Sequence, residues 1–333
     1  PSMPCRASTE DLLRGPMKTA RVLIIIVSYN VSELLQKCLQ SVFEQDCSFP
    51  LQVVVVDNVS TDDTLARVRE NFPQVTLLVN QHNVGFAAGN NQALAAYGVQ
   101  AEAPPPYALL LNPDTIVRPG ALRLLHNTMQ DHPDLGILGP RIVNPDGSLQ
   151  SGVLRFPSFT GLLKSMIPLS RGPRPTCPAS GLADSDWILG ACMMVRGELL
   201  RTVGVLDEHY FLYGEEKDWC FRARQGGWRV AVLGDAEVVH YGGQSTRQVA
   251  PSSYETFIDS QVRFYCKHYP ALHRGMFLSS TATQTALMAG AARFFAWRRG
   301  PREQEWRDRL ATYQAGRRRA LDYLLGRRPL PSV

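Results

Sequence analysis

The sequence predicts an α/β protein: a mostly parallel, mixed sheet flanked by helices, followed by a C-terminal helical extension. Three observations predict it. Short, continuously apolar runs at residues 22–27, 53–56 and 107–111 have the composition of strands buried on both faces, and 75–79 reads as a third strand in chain order. Segments with helical spacing alternate with them, as right-handed β-α-β crossovers require. Each run also ends abruptly in a polar tip, and a parallel sheet gathers such tips along the edge where open α/β sheets place ligands.

Taken in order, the first strand ends in Ser28-Tyr29-Asn30. Ser32 can cap the next helix, whose apolar positions are Leu34, Leu35, Cys38, Leu39, Val42 and Phe43. The second strand ends at Asp57. Ser60 and Asp63 resemble a capping box opening a helix to about Asn71, which leaves Asp57 as a carboxylate with no helix of its own to cap. The third strand leads into Asn83-Val84-Gly85-Phe86-Ala87-Ala88-Gly89-Asn90-Asn91. Small residues there let a backbone approach a ligand, and amides opening the helix that runs to about Gly98 can hold a phosphate. A proline-rich loop at 101–106 precedes the strand around which the chain is organised. That strand must stop at Pro113, which has no N–H, and Asp114 lies just beyond it. A plain strand-to-turn transition is the competing reading of Asn112-Pro113-Asp114 alone.

Beyond Pro119 the pattern gives a helix to about Gln130, a strand at 136–140 and a turn at Asn144-Pro145-Asp146-Gly147. Residues 165–183 read as a flexible surface loop, and 187–195 as a strand with Gly190 inside it. Tyr213-Gly214-Glu215-Glu216-Lys217-Asp218 is the densest acidic cluster. It enters a helix through Trp219 and Arg222, and acids in a first turn favour the helix dipole. Two short strands at 230–233 and 237–239 follow, the second delivering His240 into Tyr241-Gly242-Gly243-Gln244-Ser245. Residues 254–267 form an amphipathic helix, and everything beyond is helical and basic.

At 333 residues the chain can bury a full core plus an appendage. The division is a disordered leader at 1–19, a catalytic domain at 20–250 and a basic helical extension at 251–333. Seven scattered cysteines with no C-x-x-C pair argue against a disulfide framework or a zinc site, and fit a reducing, cytoplasmic compartment. The uncharged run at 275–292 is too polar for a membrane span. Eleven arginines between Arg293 and Arg328 stand against four acids, more than the whole net charge of +5. Such a tail calls for an anionic surface, lipid or nucleic acid, or else is a solvated helical face.

The motifs V-S-Y-N (27–30), V-D-N-x-S-x-D (56–62), N-V-G-F-A-A-G-N-N (83–91), L-N-P-D-T (111–115), Y-G-E-E-K-D-W-C-F-R (213–222) and H-Y-G-G-Q-S (240–245) occur in this order. The chain resembles a family 2 glycosyltransferase of the bacterial rhamnosyltransferase-like branch, with the GT-A fold. The resemblance implies that Asp57 bonds the N3–H of a uracil or thymine, with Ser28 and Tyr29 lining the base pocket. It puts Asn90 and Asn91 beside the ribose and diphosphate. Asn112-Pro113-Asp114 replaces the family's Asp-x-Asp, so Asp114 alone keeps the carboxylate for a divalent cation, Mg²⁺ or Mn²⁺, with His240 as a further ligand. Glu216 stands where the family carries its general base, with Glu215 and Asp218 as rivals. The implied activity is inverting transfer from dTDP-rhamnose or a UDP-sugar to a glycan or lipid-linked acceptor in cell-surface polysaccharide synthesis. The partners implied are that donor, that acceptor and the anionic inner face of the cytoplasmic membrane, with no nucleic acid. A sugar nucleotidyltransferase and a non-catalytic nucleotide-sugar-binding scaffold are the alternatives. The first normally wants a basic Gly-rich loop that Ser28-Tyr29-Asn30 does not provide. The second would usually have lost Asp114, Asp218 and His240.

Overall fold

The computed structural model describes residues 22–96, 105–167, 176–243, 250–297 and 302–332. The expected leader at 1–19, the end of the third helix near Gly98, most of the proline-rich loop, the middle of the 165–183 loop, Gln244, Ser245, Arg298 and Arg299 lie outside them.

The chain divides into two compact units: Pro1–Leu154 with Pro175–Asp207 and Trp219–Gly242, and Arg155–Arg174 with Glu208–Asp218 and Gly243–Val333. The first unit holds the sheet. Its strands are β1 (Val22–Ser28), β2 (Leu51–Asp57), β3 (Thr76–Val79), β4 (Tyr107–Leu111), β5 (Thr115–Val117), β6 (Leu135–Val143), β7 (Leu149–Ser151), β8 (Leu182–Asp184), β9 (Cys192–Arg196) and β10 (Arg229–His240). The order is β3-β2-β1-β4-β9-β6-β10-β5, with β7 on β6 and β8 on β10. Strands β1, β2, β3, β4, β6 and β10 run one way, and β5, β7, β8 and β9 run against them.

Helices cover both faces. Val22, Ile24 and Ile26 point into a core with Leu35, Cys38, Leu39 and Val42 of α1 (Ser32–Phe43) and Leu122, Leu125 and Met129 of α4 (Ala121–Asp131). Residues alternate across a strand, so Val27 faces the other way and meets α3 (Gly85–Ala96). A Cβ built on Gly89 would lie 3.0 Å from Val27 Cγ1. The small residues of this segment therefore serve helix-on-strand packing at Gly89.

Several local expectations change. Ser32 does not cap α1 but opens it, and Asp62 Oδ2, from the next loop, accepts from Ser32 N at 3.1 Å. No Ser60–Asp63 box forms. Helix α2 (Thr64–Asn71) starts later, with Asp62 Oδ1 accepting from Thr64 N at 3.1 Å. The two strands expected around 230–239 are one strand, β10, irregular between Leu233 and Glu237. Gly190 precedes β9 rather than interrupting it. Helix α6 (Gly197–Thr202) completes the first unit's short helices.

The second unit is helical, with α5 (Phe159–Ser165), α8 (Ala250–His268), α9 (Ala271–Trp297) and α10 (Glu303–Leu324). Asp259 of α8 accepts from Arg319 at 3.0 Å and from Tyr323 Oη at 2.9 Å, tying α8 to α10 around Ile258, Val262, Leu278, Ala282 and Ala320. Helix α7 (Glu215–Gln225) has its first turn in this unit and the rest in the first unit. No described helix is long and apolar enough to cross a membrane. All six described cysteines are free, and burial pushes the Cys38 thiol up to about 12, which leaves it unreactive.

Gly89→Val should overpack the α3–β1 contact and cost about 1–3 kcal/mol. Urea unfolding checks it, with a lowered midpoint at unchanged slope as the expected result.

Candidate active site

The parallel strands β1 to β4 deliver their tips to one sheet edge, and backbone and amide hydrogen bonds lace those tips together. Ser28 and Asp57 are register partners. Asn58 N donates to Ser28 O at 2.9 Å, and Asn80 N to Asp57 O at 2.9 Å. Asn58 Nδ2 reaches Gly85 O at 3.1 Å, while its Oδ1 accepts from Asn80 Nδ2 at 2.8 Å. Asn30 Oδ1 accepts from Thr61 N at 2.7 Å. Asn30 and Val59 both have positive φ, 51° and 62°. For a β-branched residue that conformation is strained, so the network around it holds Val59 in place.

Within this edge some polar atoms are satisfied and others are left over. Asp57 is fully buried. Its Oδ2 accepts from Ser60 N at 2.9 Å, whereas Oδ1 is buried without a hydrogen-bond partner. Ser28 Oγ and Asn90 Oδ1 are likewise buried without one. Tyr29 is half-buried. Asn91 is different: its Nδ2 donates to Leu206 O at 2.8 Å and its Oδ1 accepts from Leu206 N at 3.2 Å. Both ends of that amide brace the 206 segment.

The fourth tip gains a strand that the sequence pattern did not show. After Pro113 the chain re-enters the sheet as β5, antiparallel to β10, with Thr115 opposite His240. Asp114 and His240 thereby meet, Oδ1 to Nε2, at 3.2 Å, both largely buried. Asn112 Nδ2 lies 3.4 Å from the same Nε2, and Gln150 Oε1 lies 2.6 Å from His240 Nδ1. No group of three or more His, Cys, Asp or Glu side chains able to hold a metal occurs among the described residues. Among the described residues the side chains that meet here are the Asp114 carboxylate, the His240 imidazole and the Asn112 amide. That fits a hard cation completed by substrate phosphate and water, the usual arrangement for Mg²⁺.

The acidic cluster opens α7. Asp218 is fully buried and held by His268 Nε2 at 2.7 Å and Lys267 Nζ at 2.9 Å. Lys217 is buried too, donating to Gln261 Oε1 at 2.9 Å with its ammonium 4.2 Å from the Phe264 ring centroid. Burial lowers its pKa to about 8. Glu215 is buried with Oε2 unpartnered, and burial, then the charge of Glu216, pushes its carboxyl well above the usual range. Glu216 is only half-buried. Its Oε2 accepts from Gly214 N at 3.0 Å, and burial raises its carboxyl as well.

Residues 23–203 match the family model described as Glycosyl transferase family 2. The protein belongs to that family. An N-acetylglucosaminyl-diphospho-decaprenol L-rhamnosyltransferase of Mycobacterium tuberculosis is 31% identical over 236 residues, covering 67% of this chain and 76% of that protein. A hexosyltransferase of low-salt glycan biosynthesis from Haloferax volcanii is 28% identical, covering 72% and 73%. Among solved structures, a Pyrobaculum calidifontis mannosyltransferase in complex with GDP-mannose and Mn²⁺ superposes with a TM-score of 0.54 at 19% identity, over 96% of this chain and 93% of that one. The fold is GT-A.

In this family 2 glycosyltransferase, then, the structure gathers Ser28, Asp57, Asn112, Asp114 and His240 at the carboxyl edge of one sheet, while Glu215, Glu216 and Asp218 share the first turn of α7. Sequence reasoning missed Asn58, Gln150, Lys217 and His268. Only Lys217 left a local signal, a lysine set inside an acidic run beside the apolar pair Trp219-Cys220.

Proposed function

We propose that this glycosyltransferase is an inverting, divalent-cation-dependent enzyme. It transfers a sugar, rhamnose from dTDP-rhamnose or the sugar of a UDP-sugar, to a hydroxyl of a glycan or lipid-linked acceptor in cell-surface polysaccharide synthesis. The observation that carries this reading is the meeting of Asp114 with His240 on the edge that also carries the unpartnered Asp57 Oδ1. A buried carboxylate oxygen without a donor is costly. The ring N3–H of a uracil or thymine is a donor that would satisfy it, and Ser28 and Tyr29 would line that base pocket. Asn90, with a free Oδ1 in α3, would meet the ribose, and Asn91 would keep the 206 segment in position. Rhamnose as the sugar and a lipid diphosphate as the acceptor are supported by the name of the mycobacterial relative.

Asp114 and His240 would hold Mg²⁺ or Mn²⁺, with Asn112 beside them. When bound, such a cation neutralises the charge that develops on the leaving diphosphate. Glu216 is assigned as general base. Its carboxylate accepts the proton of the acceptor hydroxyl as that oxygen bonds to the anomeric carbon, and the electron pair of the breaking C–O bond departs with the diphosphate. One displacement inverts the configuration. Glu216 suits the role better than its neighbours because Asp218 is occupied by Lys267 and His268 and Glu215 is more deeply buried.

The reading includes peripheral contact with the cytoplasmic membrane's inner face. Phe294, Phe295 and Trp297 end α9 on the surface, Trp297 at 76% exposure, and α10 follows with Arg307 and Arg309 exposed. Aromatics at the headgroup boundary beside arginines are the composition of an interfacial anchor.

Thermal shift with UDP- and dTDP-sugars should show stabilisation that needs Mn²⁺. Asp114→Ala should lose that dependence and turnover while keeping its unfolding midpoint without ligand. Stabilisation by neither nucleotide would refute the donor class.

Glu216→Gln should cut turnover by about 10² or more at nearly unchanged donor affinity. Because burial raises the Glu216 carboxyl, wild-type turnover should fall as pH drops through a value above that of an ordinary glutamate, and this acid limb should vanish in the variant. Asp218→Ala should instead cost roughly 3 kcal/mol or more of stability, since it removes the buried carboxylate that both Lys267 and His268 engage.

Phe294→Ser with Trp297→Ser should reduce flotation with anionic vesicles without altering the unfolding midpoint. Equal recovery of variant and wild type would exclude the membrane role.

A further inference from the structure

The hydrogen bonds of residues 144–150 dictate which nitrogen of His240 carries its proton. The turn Asn144-Pro145-Asp146-Gly147-Ser148 is closed by Asn144 N to Ser148 O at 2.8 Å and Gly147 N to Asn144 O at 2.9 Å. Directions follow from its acid. The carboxylate of Asp146 can only accept, and Oδ1 takes Ser148 N at 2.9 Å and Ser148 Oγ at 2.6 Å. With its proton committed, Ser148 Oγ accepts from Asn144 Nδ2 at 2.9 Å. Asn144 Oδ1 is thus turned toward Gln150 Nε2 and accepts from it at 2.8 Å. The same Nε2 donates to the backbone carbonyl of His240 at 3.1 Å, an independent check on the amide's orientation. Gln150 Oε1 is left against His240 Nδ1 at 2.6 Å, and an amide oxygen can only accept. The proton is therefore on Nδ1, and the Nε2 lone pair faces Asp114 Oδ1.

The geometry points to Gln150 as a positioning residue that locks His240 in the Nδ1–H form, keeping Nε2 and Asp114 together as cation ligands. The inference rests on the cation site proposed above. It matters because the competing tautomer is favourable in isolation. A proton on Nε2 would be donated to Asp114 across the same 3.2 Å, and that hydrogen bond would occupy both ligands at once. In the locked form an imidazole lone pair and a carboxylate face each other and repel, and a cation between them satisfies both. Partners on the far nitrogen commonly set the tautomer and orientation of ligating histidines. Here that partner is braced by Asn144 and ultimately by a surface aspartate.

The test is long-range ¹⁵N–¹H NMR of the metal-free full chain at mildly alkaline pH, with the His240 signals assigned by their loss in His240→Gln. Wild type should show a pyrrole-type Nδ1 and a pyridine-type Nε2. Gln150→Leu should move the proton to Nε2 and weaken Mn²⁺ binding in the presence of dTDP or UDP by roughly 10- to 100-fold, read by calorimetry. Gln150→Glu keeps an oxygen acceptor toward Nδ1 and should restore the wild-type tautomer, which separates the lock from general damage to the turn. An Nε2–H ring in wild type, or unchanged Mn²⁺ affinity in Gln150→Leu, overturns the role of Gln150. Failure of wild type to bind Mn²⁺ with either nucleotide overturns instead the cation site on which it rests.

Discussion

The antiparallel pairing of β5 with the end of β10 is the constraint on which the meeting of Asp114 with His240 depends. Three residues after Pro113 re-enter the sheet, and their register sets Thr115 against His240 and leaves Asp114 at the imidazole. Tyr241 N donates to Asp114 O at 3.0 Å, fixing the carboxylate's backbone from the far side. As an edge strand, β5 would expose unpaired backbone groups. Helix α1 and the residues just after it meet them: Ser41 Oγ accepts from Val117 N at 3.0 Å and Gln45 Nε2 donates to Val117 O at 3.1 Å. The helix that fills the core with Leu35, Leu39 and Val42 thus also closes the edge that aims Asp114.

The legible part of this architecture was the part written in short-range pattern. Buried parallel strands are continuous apolar runs, so β1, β2 and β4 stood out, and Pro113 marked where the fourth had to stop. What was illegible was carried by contacts across long sequence separations. Ser32 looked like a cap because it precedes apolar residues at helical spacing, yet the capping oxygen comes from Asp62, thirty positions on. Asn91 sat in a motif suited to a ligand, but Leu206 engages both ends of its amide. Asp218 and its neighbours were indistinguishable as acids in one run. Burial and the placement of Lys267 and His268 separate them, and neither can be read before α8 is folded.

That separation is the physical content of the acidic turn. Four ionisable side chains in succession, Glu215 to Asp218, cannot all be charged in a buried setting without partners. Asp218 is engaged by Lys267 and His268 of α8. Lys217, desolvated against Phe264, takes part of its own from the charge of Glu216. The two glutamates remain. The charge of Glu216 adds to the cost of ionising Glu215, so the more deeply buried Glu215 is the better place for a proton and Glu216 the better place for the charge. Two adjacent carboxyls whose surroundings differ in this way resist ionisation to different degrees, Glu215 the more strongly. The family's aspartate at the second position would sit one methylene closer to its backbone. A glutamate there extends further, and its Oε2 accepts from Gly214 N at 3.0 Å.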